Sequence, residues 1–212
     1  MTGLAAAAAL GYLLGAIPFG VVVGRVTRGV DIRDYGSHRT GATNALRTLG
    51  TRAAALVFGL DFGKGAMAVL VAWLLPASWS GNLAEWAPAL AGVAAIIGHN
   101  RSVFIGFTGG RGVATSTGAL VALAPWAIAV LGPVVVVLVW RTRYVSLGSV
   151  IGALLAPFVV GVLHLAGLAS LAALFYALGA AVLVTGSHAD NIGRLRAGTE
   201  RKLGQKEEVR HA

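Results

Sequence analysis

The stretch Thr108-Gly109-Gly110-Arg111-Gly112-Val113-Ala114-Thr115 concentrates residue types suited to binding a phosphate. Its glycines let the backbone come close to an anion and adopt φ > 0, so that successive N–H groups can point at one oxygen. Arg111 adds a forked cation matched to phosphate, and Thr108 and Thr115 add hydroxyl donors. A helix starting near Val113 would turn its positive end toward the same anion. The alternative account is a glycine-rich turn between two membrane helices.

Other groups along the chain carry compatible chemistry. In the segment from Asp31 to Arg47, Ser37, Thr43, Asn44 and Arg47 are hydrogen-bond donors, and Gly36 and Gly41 permit a tight backbone. Asn44 and Arg47 lie three apart, on one face of an incipient helix; helix capping by Thr43 or Asn44 is the alternative. Asp61 and Lys64 stand three apart inside an apolar run, where charges are costly and are paired or functional. They form either an ion pair facing the bundle or, through Lys64, a contact to an anionic ligand. His99 closes the apolar stretch before the glycine-rich segment, as a hydrogen-bonded structural residue or a base; His164 reads as structural. Tyr144 suits an interfacial anchor, and Ser146 is a ligand donor or a cap. His188 and Asn191 share a helix face that Arg194 continues, and Glu200 follows to reach a hydroxyl or orient an arginine. A solvated amphipathic tail is the alternative there.

The elements that must position these residues are helical and lie in a membrane. Of the 212 residues 57% are hydrophobic and 12% charged, about half the charge of a soluble domain. The 30 glycines suit closely packed helices. The absence of cysteine excludes disulfides and thiolate chemistry. A net charge of +9 raises the possibility of nucleic acid, but the basic residues occupy short loops between apolar spans. Anionic head groups and an anionic substrate fit that pattern better. The apolar N-terminus has no basic n-region and reads as a first span, not a cleaved signal.

Apolar spans are expected at 4–24, 53–75, 83–98, 113–124, 126–140, 147–166 and 168–187, forming one membrane domain over 1–212 with a cytoplasmic tail at 188–212. The Lys and Arg residues fall in patches at 25–64, 101–111, 141–143 and 194–210, and the loop at 76–86 has none. The positive-inside rule places all four patches in the cytoplasm. An even number of crossings must then separate Arg111 from Arg141, so Pro125 marks an outer hairpin. The fold class expected is an all-α integral membrane protein of about seven transmembrane helices, with the N-terminus outside and the C-terminus cytoplasmic.

Five motifs stand in one order over nearly the whole chain: Leu14–Gly20, Gly36–Arg47, Asp61–Gly65, Gly109–Thr115 and His188–Glu200. Together they resemble the bacterial acyl-phosphate-dependent glycerol-3-phosphate acyltransferases. The resemblance implies acyl transfer from acyl phosphate to the 1-hydroxyl of sn-glycerol 3-phosphate, without cofactor or metal, in a bacterial plasma membrane with the active site facing the cytoplasm. It implies the same seven-helix arrangement, membrane lipids as surroundings and no nucleic-acid partner. Ser37, Thr43, Asn44 and Arg47 would form the active-site loop, and Gly109, Gly110, Arg111, Gly112 and Thr115 would cradle the donor phosphate. Ser146, His188, Asn191 and Glu200 would complete the pocket, on the acceptor side. Of these, Ser37, Arg47, Ser146, His188 and Asn191 would be catalytic.

The chain also departs from the family pattern. His38-Arg39 stands where Gly-Asn is usual, Arg111 where Lys is, Arg101-Ser102 where an aromatic-Pro pair is, and Ala189 where a basic residue follows the histidine. A paralogue with another acceptor or donor, and an organic-anion transporter, are the competing readings. A transporter would spread its basic groups through the membrane depth, whereas here all but Lys64 crowd to one side. The chain lacks a His-x4-Asp pair, which separates it from the other large class of glycerolipid acyltransferases.

Overall fold

A computed structural model describes residues 2–79 and 81–205. Residues 206–212 of the expected cytoplasmic tail lie outside the described residues. Ten α-helices follow in order among those described: α1 (Thr2–Ala16), α2 (Phe19–Arg28), α3 (Ala42–Thr48), α4 (Thr51–Trp73), α5 (Ala87–Asn100), α6 (Val113–Leu123), α7 (Pro125–Thr142), α8 (Val145–Leu165), α9 (Leu171–Ser187) and α10 (Ala189–Arg196). Extended structure among the described residues is limited to an isolated bridge between Ser102 and Thr108.

Pro18 breaks the first apolar run, because a proline lacks the N–H that would continue the ladder. The expected span at 4–24 is therefore two helices, α1 and α2, which together run to Arg28. Ala124-Pro125 ends α6 and starts α7, with the proline in the first turn where its missing donor costs nothing. The expected 83–98 span is instead a 3₁₀ stretch, Gly81–Trp86, followed by α5. The other boundaries fall within three residues of expectation.

By length and composition, four segments can cross a bilayer: α1 with α2, α4, α7 and α8. α9 makes a fifth if it is counted with α10, from which it is bent by 61°. α5, with 14 residues, and α6, with 11, are shorter than the ~20 that a full crossing takes. Large apolar side chains such as Phe158 and Val182 point outward on α8 and α9, as they do on a surface that faces lipid.

The core joins α4 to α9 through Val69, Ile96, Leu120, Val160 and Tyr176. Backbone contact replaces side-chain packing at two crossings. A Cβ on Gly15 would strike the backbone of Ala95 on α5, and one on Gly65 would strike that of Thr115 on α6. Into this apolar framework α4 inserts Asp61 and Lys64, both almost wholly buried and 2.8 Å apart. Lys64 Nζ also donates to the carbonyl of Ile17 at the α1–α2 break, at 2.8 Å.

Losing one partner of a buried ion pair costs more than losing both. Lys64→Met should lower stability in detergent by ~3–5 kcal/mol, and the double change Asp61→Leu, Lys64→Met should lower it less. Denaturant titration in mixed micelles measures both. A double variant less stable than the single one would contradict the pairing.

Candidate active site

A polar cavity of about 380 Å³ lies where the loop before α3, the glycine-rich loop before α6, the start of α8 and α10 converge. Its wall holds Ser37, Arg39, Thr43, Arg47, Arg111, Ser146, His188, Asn191, Arg194 and Glu200. The structure thus places most of the residues expected of the site around one cavity.

The first loop is built around Asn44. This side chain is 1% exposed; its amide donates to the carbonyls of Ile32, Tyr35 and Arg39 at 2.7–3.1 Å and its oxygen accepts from Ser37 N at 2.8 Å. Gly36 has φ +64, and a Cβ there would run into the Asn44 oxygen. Asn44 lines the cavity as expected of a site residue, while its amide meets loop carbonyls that would otherwise be buried without a donor. Asn44 thereby sets the position of Ser37 and Arg39 in the wall. Arg33 fastens this loop to the next one, pairing with Asp31 at 2.8 Å and donating to Ile105 O and Thr108 Oγ1 at 3.2 and 3.0 Å. That hydrogen bond and charge hold Asp31 below its ordinary carboxylate range. His38, one of the departures from the family pattern, closes on the carbonyl of Arg33 through Nδ1 at 2.8 Å.

The glycine-rich loop divides in two. Arg111, Gly112, Val113 and Ala114 form part of the cavity wall. Gly109, Gly110 and Thr115 instead pack on His99: Gly110 N donates to the His99 carbonyl at 3.1 Å, a Cβ on Gly110 would meet ring Nε2, and Thr115 Oγ1 lies 3.2 Å from Nδ1. Of the five residues expected to cradle a phosphate, Arg111 and Gly112 therefore line the cavity, beside the first turn of α6. Gly112 sits at φ +77 and the helix start has no side-chain cap. Gly112, Val113 and Ala114 at this start line the cavity, and an uncapped helix start is a suitable seat for an anion.

On the opposite wall, Glu200 is 9% exposed. Its Oε1 accepts from Ser146 Oγ at 2.7 Å and Asn191 Nδ2 at 2.6 Å, and its Oε2 from Arg194 Nε at 2.8 Å. Burial opposes ionisation of Glu200, but these three hydrogen bonds and the Arg194 charge outweigh it and hold the carboxyl below its ordinary range. His188 Nδ1 lies 2.8 Å from the Val184 carbonyl. A carbonyl only accepts, so Nδ1 carries the proton and the neutral ring keeps Nε2 as an acceptor. Burial lowers the His188 pKa and favours that neutral form. Arg143, at φ +61, holds the tail in this position: its carbonyl accepts from Leu203 N and its guanidinium donates to the Leu203 carbonyl.

Three features escaped the spacing analysis. Asp190 bonds Arg111 at 3.0 Å across 79 positions of sequence; Arg39 lines the wall; Arg143 clamps the tail. Only the Asp190–Arg194 spacing of four carried any signal, and it pointed to a surface helix pair.

The polar cavity shares Phe58, Val113, Val145 and Ser149 with an apolar groove, also about 380 Å³, that runs between α6, α7, α8 and α9. Gly148 and Gly152 of α8 make room for the side chains of Val135 and Val139 of α7, and all four residues line the groove. The pair of spaces can therefore take a charged oxyanion head at one end and an aliphatic chain at the other. Among the described residues no group of three His, Cys, Asp or Glu is placed to hold a metal ion.

The glycerol-3-phosphate acyltransferase family model matches residues 5–198. A protein named glycerol-3-phosphate acyltransferase 1 from Deinococcus radiodurans is 48% identical over 201 residues, covering 93% of this chain and 94% of its own. The glycerol-3-phosphate acyltransferase of Halalkalibacterium halodurans is 42% identical, with the same coverage. Among solved structures, the glycerol 3-phosphate form of PlsY (YgiH), an integral membrane glycerol 3-phosphate acyltransferase, superposes with a TM-score of 0.82 at 36% identity. It covers 95% of this chain and 96% of that one. The lysophosphatidic acid form of the same protein gives 0.81.

Glu200 also links the site to pH. Its folded pKa lies below the ordinary 4.5, so its contribution to stability is complete above that value and disappears as pH falls through the folded one. Asp190 is shifted the same way: burial raises its pKa, but Arg111 lowers it more. The thermal midpoint of the wild type should fall on acidification from pH 6 to 3. Glu200→Gln should start lower at pH 6 and lose less over that window. Equal losses in the two proteins would show that Glu200 does not carry the effect.

Proposed function

The chain belongs to the glycerol-3-phosphate acyltransferase family, and we propose that it transfers an acyl group from acyl phosphate to the 1-hydroxyl of sn-glycerol 3-phosphate. The products are lysophosphatidate and inorganic phosphate. The observation that carries this is the junction of the arginine-lined cavity with the apolar groove at Val113, Val145 and Ser149. A lipid-linked phosphate fits such a junction, with its chain in the groove and its head on Arg111.

The acceptor hydroxyl attacks the acyl carbonyl and the bond from that carbon to the phosphate oxygen breaks. Acyl phosphate is a mixed anhydride and already activated, so no protein nucleophile is required. Charge grows on the departing phosphate, where Arg111 and the N–H groups at the start of α6 stabilise it. Glycerol 3-phosphate lies against His188, Asn191 and Arg194, and its alignment beside the carbonyl supplies much of the acceleration. The hydroxyl proton passes to Nε2 of His188 or to a phosphate oxygen of the substrate. Glu200 holds Ser146, Asn191 and Arg194 in register. Ser37, Thr43 and Arg47 complete the wall.

We further propose seven helices in one membrane domain of the bacterial plasma membrane, with α5 and α6 crossing only part of it. The N-terminus lies outside and the cavity faces the cytoplasm. The gathering of Arg39, Arg47, Arg111, Arg194 and Arg201 at one end of the bundle supports that orientation.

Purified protein given palmitoyl phosphate should release phosphate only when glycerol 3-phosphate is present, with an equal amount of lysophosphatidate. Folded protein that shows no acceptor-dependent turnover would overturn the proposal. Arg111→Ala should lower kcat by at least ~10², the scale of a lost charge-stabilising donor, while its unfolding midpoint stays close to wild type. Normal turnover in that variant would remove Arg111 from the mechanism.

A further inference from the structure

One carboxylate occupies the place in this pocket where a ligand would be expected. Asp190 stands in the first turn of α10, and its Oδ2 lies 3.0 Å from a terminal nitrogen of Arg111 and 3.4 Å from Arg194. Its side chain is 43% exposed, whereas that of Arg111 is 16% exposed. Nε of Arg111 is buried and makes no hydrogen bond among the described residues. Leaving a buried N–H of a guanidinium without a partner is costly, so this fork has capacity beyond its contact with Asp190. Glu200, the neighbouring acid, is different: it is buried and committed to Ser146, Asn191 and Arg194.

We infer that Asp190 is an internal counter-ion for the phosphate seat, whose carboxylate holds the Arg111 fork until a phosphate oxygen exchanges with it. The inference rests on the proposed function in one respect, that Arg111 receives a phosphate. Each phosphate that binds must displace one carboxylate, so Asp190 weakens phosphate binding and speeds release of the phosphate product. The exchange favours a dianion, which outbids a single carboxylate for two guanidiniums, over singly charged ligands. Asp190 is thus a specificity-determining residue that contacts the phosphate site through Arg111 and Arg194. A residue that merely aimed Arg111 would have the opposite effect: its removal would weaken phosphate binding.

The test is calorimetric titration of inorganic phosphate into the full-length protein in detergent, comparing wild type with Asp190→Asn, Asp190→Ser and Arg111→Ala. Asp190→Ser keeps a small polar residue in the first turn of α10 and serves as the second probe should the amide distort the helix start. Both Asp190 variants should bind phosphate about tenfold more tightly, the effect of one charge-assisted contact, and phosphate should inhibit their turnover more strongly. Unchanged or weaker binding in both would overturn the counter-ion role. Undiminished phosphate binding in Arg111→Ala would show a different failure, that the phosphate seat itself lies elsewhere.

Discussion

Lys64 carries a charge into an apolar bundle, and the structure satisfies it entirely from within. Its ammonium meets Asp61 on its own helix and the Ile17 carbonyl at the α1–α2 break. Asp61 also lies 3.6 Å from His99, whose ring and carbonyl form the seat of Gly110 and Thr115. A buried charge left without a partner would cost several kcal/mol, so α1, α4 and α5 are tied to one another at this level. The glycine-rich loop rests on that tie. The direction of Arg111 is therefore set by a buried ionic cluster below it as well as by its own loop.

The upper half of the site rests on mutual support between short elements. α3 has seven residues and α10 has eight, too few for stable isolated helices. Asn44 gathers the first loop, Arg33 joins it to the glycine-rich loop, and Glu200 joins the tail to Ser146 across 54 positions. Each loop reaches the cavity because another holds it there. That arrangement lets polar backbone line a cavity at the edge of an apolar domain, with the carbonyls of Ile32, Tyr35 and Arg39 met by one buried amide.

Much of this was legible from spacing. The three-residue separation of Asp61 and Lys64 gave their pairing, and the spacing of His188, Asn191 and Arg194 gave one wall of the pocket, with Glu200 orienting the arginine. Pro125 marked a real break. Periodicity, however, shows which residues share a face and is silent on what that face meets. Asn44 shares a face with Arg47, yet three carbonyls of its own loop claim its amide. Gly109, Gly110 and Thr115 read as a cradle, but their smallness and polarity serve contact with His99. The contacts of Asp190 and Arg143 depend on loops far away in sequence, which no local pattern encodes. Partial crossings leave no distinctive hydropathy signal, so α5 and α6, of 14 and 11 residues, read from sequence like the other spans.

In the proposed mechanism, binding and fixed charge accomplish the reaction, and the acyl group passes straight from donor to acceptor. An acid-quenched single turnover with radiolabelled palmitoyl phosphate, run with and without glycerol 3-phosphate, distinguishes this from a covalent route. Direct transfer predicts that label appears in lysophosphatidate when the acceptor is present and that none becomes covalently attached to the protein in either case. Stoichiometric labelling of the protein in the absence of acceptor would contradict it and require a nucleophile in the cavity wall.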